Sequence, residues 1–239
     1  MTLFWTKTWD ALAGALFPTP CVTCGALISA HDPPLCPECW NRLPLIQGFV
    51  CRCGASVPGS QDQDCGRCRR GLSVISEGVA LGVYDGALRD CVVALKYHGR
   101  YRTAERLASR LAANVRCRRF LDAADVVVGV PLHADRVRHR GFNQADLLAR
   151  ALGKESGAVV SCGLIRTKDT RTQTALSARD RRRNVRGAFA VRTPGSFRGA
   201  TVILVDDVTT TGATLRECAL TLLGDGASEV RSITAARAE

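Results

Sequence analysis

Eight of the twelve cysteines in this 239-residue chain fall between positions 21 and 68, as Cys21-x2-Cys24, Cys36-x2-Cys39, Cys51-x-Cys53 and Cys65-x2-Cys68. The cluster is an internal repeat. Aligning Cys24-Gly25 with Cys53-Gly54 brings Cys36 onto Cys65 and Cys39 onto Cys68, with eleven intervening residues in each copy. Only the first cysteine fails to align, because Cys51 lies one residue too close to Cys53. Thiolates two residues apart on a tight turn can face one tetrahedral ion, and two such pairs complete a four-cysteine zinc site. Gly25 and Gly54 suit the tight backbone that follows the second cysteine. The alternative is a secreted disulfide framework, which an export signal would accompany; none is recognisable. A zinc ribbon is therefore expected at the first copy. The second is a further candidate whose Cys-x-Cys pair needs a tighter turn, so one or two structural ions are expected. His31 reads as an exposed loop histidine. Such ribbons draw their folding energy from the metal, have almost no apolar core, and serve as scaffolds or docking modules. Nothing resembles a catalytic zinc with three ligands and an open position. The remaining cysteines (91, 117, 162 and 218) read as small buried hydrophobes.

The chain is long enough to bury one sizeable α/β core beside this small head. From about residue 77 apolar runs alternate with helical periodicity. Strands are expected over Val79 to Tyr84, Val126 to Val130, Ala158 to Ile165, Val202 to Val205 and Val230 to Thr234. Helices are expected over Gly86 to Tyr97, along the apolar stripe from Ala104 to Val115, over Gln144 to Lys154, and along Leu215, Cys218, Ala219, Leu222 and Leu223. This alternation predicts an α/β fold, a mostly parallel sheet with helices on both faces. At the N-terminus, Trp5, Trp9, Leu12 and Leu16 recur at helical spacing, and Asp10 interrupts what would otherwise resemble the apolar core of a signal peptide. The organisation expected is a helix over 1–18, a double ribbon over 19–72 and the α/β domain over 73–239.

Ligands of such sheets bind beyond the carboxyl ends of the strands. There the chain reads Val202-Ile-Leu-Val-Asp-Asp-Val-Thr-Thr-Thr-Gly-Ala-Thr214: a buried strand, two acids expected at its tip, and a hydroxyl-rich turn into a helix. Backbone N–H groups at a helix start, with threonine hydroxyls, make a phosphate cradle, and Gly212 lets the backbone approach an anion. The carboxylates would repel that phosphate. They can accept hydrogen bonds from sugar hydroxyls or hold a divalent cation through water. A sugar phosphate satisfies both halves. An ordinary strand-turn-helix with a threonine-rich cap is the plainer alternative, but paired acids at the end of a buried strand are costly without a partner. Neither common glycine-rich nucleotide loop occurs in the chain.

These residues resemble the phosphoribosyl pyrophosphate (PRPP) signature of the type I phosphoribosyltransferases. The stretch from Val130 to Leu152, the stretch from Arg166 to Phe189 and the cysteine pairs in front resemble one branch of that family, the ComF (competence protein F) group. The resemblance implies that Asp206 and Asp207 bind the ribose hydroxyls of PRPP and that Thr209, Thr210, Thr211, Gly212, Ala213 and Thr214 hold its 5-phosphate. It implies that Pro131, Leu132 and His133 form the loop receiving pyrophosphate with Mg2+, and that residues 166–186 form a mobile catalytic loop. Lys168, Arg171 and Arg179 are the candidate donors to departing pyrophosphate, where charge develops. Arg181 to Arg183 read equally as a solvated helix face. Closure of such a loop excludes water from an oxocarbenium-like sugar. Purine-salvage members carry an acid at the position matching Thr210, and threonine cannot act as a base at neutral pH, so transfer to a purine is not implied.

Net charge is +11 and pI 9.4, which suits a polyanionic or phosphorylated partner. Between Arg136 and Arg186 lie thirteen Lys or Arg against four acids. Three functions fit: a Mg2+-dependent phosphoribosyl transfer to an unidentified amine or base, a protein that handles single-stranded DNA and competence or recombination proteins, and a PRPP sensor without turnover. Phe142 and Phe189 are the only aromatics between 136 and 190, which argues against base stacking by that segment itself. No apolar run approaches the ~20 residues of a membrane span. Metal-type cysteines and PRPP chemistry suggest a cytoplasmic setting.

Overall fold

The computed structural model describes residues 18–29, 34–46, 50–55, 57, 64–71, 73–97, 101–169 and 178–238, with the backbone alone at 67, 178, 179, 181 and 182. The expected N-terminal helix therefore falls almost wholly outside the described residues, as do His31 and Arg171.

The head contains little regular structure. A two-residue antiparallel ladder joins β1 (Thr19–Pro20) to β2 (Leu27–Ile28), and single turns of helix, α1 (Pro37–Asn41) and α2 (Gly66–Arg69), carry the second cysteine pair of each copy. Cys36 caps α1 with its sulfur, which accepts from the Cys39 N–H, and Pro37 follows at a first-turn position where no N–H is needed.

Behind it lie β3 (Gly78–Val83), α3 (Gly86–Tyr97), α4 (Arg102–Ala112), α5 (Val115–Asp122), β4 (Val126–Gly129), α6 (Ala134–Arg140), α7 (Gln144–Ser156), β5 (Val159–Ser161), β6 (Leu164–Arg166), α8 (Ala178–Val185), β7 (Phe189–Val191), β8 (Thr201–Thr209), α9 (Ala213–Gly224) and β9 (Glu229–Arg237). Five strands form one sheet in the order β3-β9-β8-β4-β5, and every neighbouring pair is parallel. Alternation along β8 sorts its side chains into two cores: Ile203 and Val205 pack with Leu88, Leu107 and Leu148 of α3, α4 and α7, while Val202 and Leu204 pack with Leu215, Cys218 and Leu222 of α9. Helices thus cover both faces, as the alternation of apolar runs predicts.

Four expectations are corrected. The strand expected over 158–165 is two: β5 extends the sheet, whereas β6 leaves it to form an antiparallel hairpin with β7. The stripe ending at Val115 breaks after Ala112, because Asn114 caps a new helix by accepting from the N–H groups of Arg116 and Cys117, and Val115 is left 86% exposed. Cys162 is exposed rather than buried, unlike Cys91, Cys117 and Cys218. Strand β8 does not stop at Val205 but runs to Thr209, so the two acids lie within it.

The edge strand β3 is covered by the head. Leu45 bridges Gly82, Ile46 N–H donates to the Leu81 carbonyl at 3.1 Å, Val83 N–H donates to Pro44 at 2.8 Å, and Gly78 N–H donates to Arg52 at 2.7 Å. An uncovered edge would offer these groups to other chains.

Candidate functional site

Each cysteine cluster gathers four sulfurs within 4.8 Å of one another. Cys24 Sγ and Cys36 Sγ are 3.6 Å apart, and their counterparts Cys53 and Cys65 are 3.7 Å apart. A tetrahedral zinc with bonds of about 2.3 Å requires sulfurs about 3.75 Å apart, whereas a disulfide requires about 2.05 Å. The first sulfur of each copy also accepts a backbone N–H, Cys36 onto Cys21 at 3.3 Å and Cys65 onto Cys51 at 3.2 Å. The missing residue in the second copy is absorbed by its turn. Cys21 N–H reaches the Ala26 carbonyl and Cys51 N–H reaches Ala55, both at 2.8 Å, so one closure spans five residues and the other four. Cys51 thereby takes the place of Cys21. Both sets fit structural zinc.

At the carboxyl edge of the sheet, Asp206 and Asp207 are consecutive strand residues and face opposite sides. Asp207 points to the α3 side, is 5% exposed, and has its Oδ2 3.0 Å from Lys96 Nζ. That oxygen is buried, and beyond this ion pair it accepts no well-directed hydrogen bond among the described residues. Burial alone would lower the Lys96 pKa, but Asp207 outweighs it and the ammonium is held charged more firmly than usual. Asp206 points to the α9 side. Burial, then the neighbouring Asp207, pushes its carboxyl up to about 8, against the opposing pull of Lys96 and Arg166. The folded chain therefore keeps a proton that the unfolded chain releases, and this group's contribution to stability falls as pH rises from the ordinary carboxylate range through about 8. Arg166, its guanidinium 5.5 Å from the Phe189 ring, has a lowered pKa, through burial and then Arg136.

Past Thr209 the chain turns through Gly212, left-handed at φ 69°, into α9, whose first turn receives no side-chain cap from that residue. Ala213 N–H instead leans on Thr211 Oγ1 at 3.4 Å. On the neighbouring strand, Val130 N–H donates to Val205 and the chain continues through Pro131 and Leu132 to His133, which caps α6 by accepting from Asp135 N–H. His133 also forms a parallel bridge with Arg166, tying this loop to the strand that leads into the basic segment. His133, Asp135 and Asp169 bring three ligand atoms within 4.8 Å. Both carboxylates already face arginines there, Asp135 with Arg138 and Asp169 with Arg136.

Residues 89–239 match the phosphoribosyl transferase domain family, and residues 12–70 match the double zinc ribbon domain family. A "DNA utilization protein YhgH" of Salmonella typhi is 34% identical over 90% of this chain and 95% of its own length. "Competence protein F" of Haemophilus influenzae is 30% identical over 91% of this chain and 96% of its own length. The chain belongs to the competence protein F family. It carries that family's double zinc ribbon ahead of a phosphoribosyltransferase domain. Among solved structures, "the allosteric regulatory enzyme of purine biosynthesis" aligns with a TM-score of 0.40 and 24% identity, covering 60% of this chain and 30% of that one.

In this family member, the residues expected from sequence at the sheet edge fall close together: 131–133 in the loop after β4, 206, 207 and 209 on the adjacent strand β8, 210–212 in the loop after it, and 213–214 in the first turn of α9. Lys168 stands at the base of the basic segment, where its Nζ reaches the Arg186 carbonyl at 3.5 Å. Arg171 lies outside the described residues, and of Arg179 only the backbone is described, in the first turn of α8. The helix α8 falls inside the segment expected to be a loop. Two residues escaped the sequence reading, Lys96 and Arg166. No local pattern signals either of them: each is brought to the acids by packing of an element distant from them in the chain.

Proposed function

We propose that this chain binds PRPP with Mg2+ across the carboxyl edge of β4 and β8 and transfers its phosphoribosyl group to an amine or base acceptor. The observation that carries this reading is the continuity of β8 with the loop beyond it: acids for ribose hydroxyls run directly into the start of a twelve-residue helix for a phosphate. Asp206 and Asp207 would accept from the ribose hydroxyls, Thr209 to Thr211, Gly212, Ala213 and Thr214 would hold the 5-phosphate, and Pro131 to His133 the pyrophosphate. Asp207 would meet the ribose while its Oδ2 is held by Lys96. Asp135 and Asp169 are hard oxygen donors suited to Mg2+, which would supply charge neutralisation on the pyrophosphate when bound. Lys168, with Arg171 and Arg179 of the basic segment, would supply cationic donors to the leaving group. The relatives' names, DNA utilization protein and competence protein F, support a role in handling DNA during uptake, and metal-type cysteines with PRPP chemistry support a cytoplasmic setting.

Calorimetric titration of PRPP with and without Mg2+ tests the reading. Wild type is expected to give Mg2+-dependent heat, and Asp206→Asn/Asp207→Asn to give none while retaining its fold. No heat in wild type overturns the proposal. Where PRPP binds, pyrophosphate release screened over bases and amines separates transfer from sensing.

A further inference from the structure

Outside the phosphoribosyl edge, a cleft of ≈ 590 Å³ opens between the end of α3, the start of α4 and α6. Small-molecule sites commonly span about 300–1,000 Å³. Its aromatic lining comes from three places in the sequence. Tyr97 ends α3 and is 66% exposed, Tyr101 precedes α4 and is 52% exposed, and Phe142 follows α6. Tyr101 and Phe142 meet edge to face, with ring centroids 4.9 Å apart at 85°. Adjacent large rings left open to water mark a binding surface more often than a bare one, and rings held by one another lose little freedom when a flat ligand stacks on them.

The rest of the lining is charged. Arg136, His139 and Arg140 project from α6. Arg140 donates to Gln144 Oε1 at 2.7 Å and lies 5.2 Å from the Tyr97 ring, so its guanidinium plane is fixed beside the aromatics. Asp135 is the one acid in the lining, and Arg138 neutralises it. A free phosphate would need the cations and not the rings; an apolar peptide would need the rings and not the cations. A base joined to a phosphate needs both. The shortage of aromatics within the basic segment is thereby met by α3 and α4.

We propose that this cleft binds a nucleotide unit, its base stacked on one ring of the Tyr101–Phe142 pair against the edge of the other and its phosphate on the Arg136, His139 and Arg140 row. The test separates this site from the PRPP reading through residues that reading does not use, Tyr101, Phe142 and Arg140; of the rest of the lining, Lys96 is held by Asp207, Asp135 is the Mg2+ donor proposed above, and Arg136 pairs with Asp169.

Fluorescence anisotropy with a labelled oligothymidylate and an abasic strand of equal length tests this directly. The base-bearing strand is expected to bind at least ~5-fold more tightly, since stacking contributes about 1–3 kcal/mol per base. Tyr101→Ala/Phe142→Ala should bring the two strands within about twofold while leaving the heat of PRPP binding unchanged. Arg140→Ala should weaken both strands and reduce the salt slope by about one. Asp206→Asn/Asp207→Asn should leave strand binding intact, so failure of the PRPP reading is told apart from failure of this one. Displacement by thymidine monophosphate identifies a free nucleotide as the ligand, and resistance to it identifies a nucleotide within a strand. Tyr101→Trp provides a second readout, quenching on stacking, should the double substitution unfold the chain. Equal binding of the abasic strand, base dependence that survives the double substitution, or an unquenched tryptophan overturns the proposal. So does a wild-type dimer that Tyr97→Ala/Tyr101→Ala dissociates without any base-dependent binding, which makes the rings an interface between copies.

Discussion

The first cysteine cluster sends Leu35, Trp40 and Leu43 into the same buried core as Leu88 and Leu107, whereas the second keeps Cys51, Ala55 and Cys68 in a small cluster of their own. The matched sulfur contacts of the two differ by only 0.1 Å, 3.6 against 3.7 Å and 3.3 against 3.2 Å, so the ligand sets themselves do not account for the difference. The neighbours of the ligands do. Before the third cysteine stands Leu35 in one copy and Asp64 in the other; after the fourth stands Trp40 in one and Arg69 in the other. The first ribbon is consequently packed into the domain, with Arg106 5.0 Å from the Trp40 ring. The second is attached by polar groups: Arg116 donates to the Arg52 carbonyl at 2.6 Å and to Cys51 at 3.4 Å, and Gly78 donates to Arg52. A repeat can thus conserve a metal site while one copy becomes core and the other a fitting on the surface.

Removing the metal gives the largest effect. Structural zinc in small modules supplies about 10–16 kcal/mol of folding energy, and here the first ribbon also shields the edge of β3. Chelation under reducing conditions is expected to lower the main melting transition by roughly 10 °C or more. Release followed with a chromogenic chelator should occur in two steps, the surface-mounted site first. Simultaneous release, with no change in the main transition, would remove the distinction between the copies.

Single ligand substitutions should separate them next. Cys39→Ser breaks a site whose neighbours Leu35 and Trp40 are 2% and 7% exposed, so the main transition should lose about 3–5 kcal/mol, the scale of a core disruption. Cys68→Ser should unfold its ribbon locally and cost the main transition about 1 kcal/mol, the scale of the few hydrogen bonds that attach it. Equal losses in denaturant titrations would show that attachment does not matter.

Much of this was legible in the sequence. The repeat, the alternation of apolar runs and the run from Val202 to Thr214 located the ribbons, the parallel sheet and the carboxyl-edge loop, because each is a local pattern with a fixed period. What escaped detection depends on long-range packing. Nothing near Asp207 names Lys96, which lies on a helix two strands away in the sheet order and over a hundred residues earlier in the chain. The departure of β6 from the sheet escaped for a related reason: Val159–Ser161 and Leu164–Arg166 are similar short runs, and only their pairing partners distinguish them. Tyr97 and Tyr101 stand some forty residues before Arg136 and Arg140, and only the fold places them beside α6.

Two matched glycines give a smaller and cleaner contrast. Gly25 and Gly54 occupy the same place in the repeat with φ of +76° and +78°. A side chain at either position meets left-handed strain of about 1–2 kcal/mol. Beyond that, a Cβ on Gly25 touches nothing within 4 Å, whereas one on Gly54 would stand 2.9 Å from the Gly78 carbonyl oxygen, in backbone that cannot yield without disturbing β3. Gly25→Ala should therefore cost about 1 kcal/mol and Gly54→Ala about 2–3 kcal/mol by chemical denaturation. Equal costs would mean that the second ribbon does not seat against β3 as closely as its backbone distances require.

The smallest contrast is between the side-chain ties. Thr23 of the first ribbon donates to Asp90 at 3.0 Å in an exposed contact, and Arg116 holds two carbonyls of the second while pairing with Glu77 at 3.5 Å. Water replaces an exposed hydroxyl bond with little loss, so Thr23→Ala should change stability by only a few tenths of a kcal/mol. Arg116→Ala strips the second ribbon of its main side-chain anchor and should cost about 1 kcal/mol. The more telling readout is hydrogen exchange. Arg116→Ala should speed exchange at Cys51, Gly54 and Cys65 and leave Cys21, Gly25 and Cys36 unchanged, because a ribbon packed into the core opens only with the core. If both copies exchange faster, Arg116 supports the head as one body and the two ribbons are not separately attached.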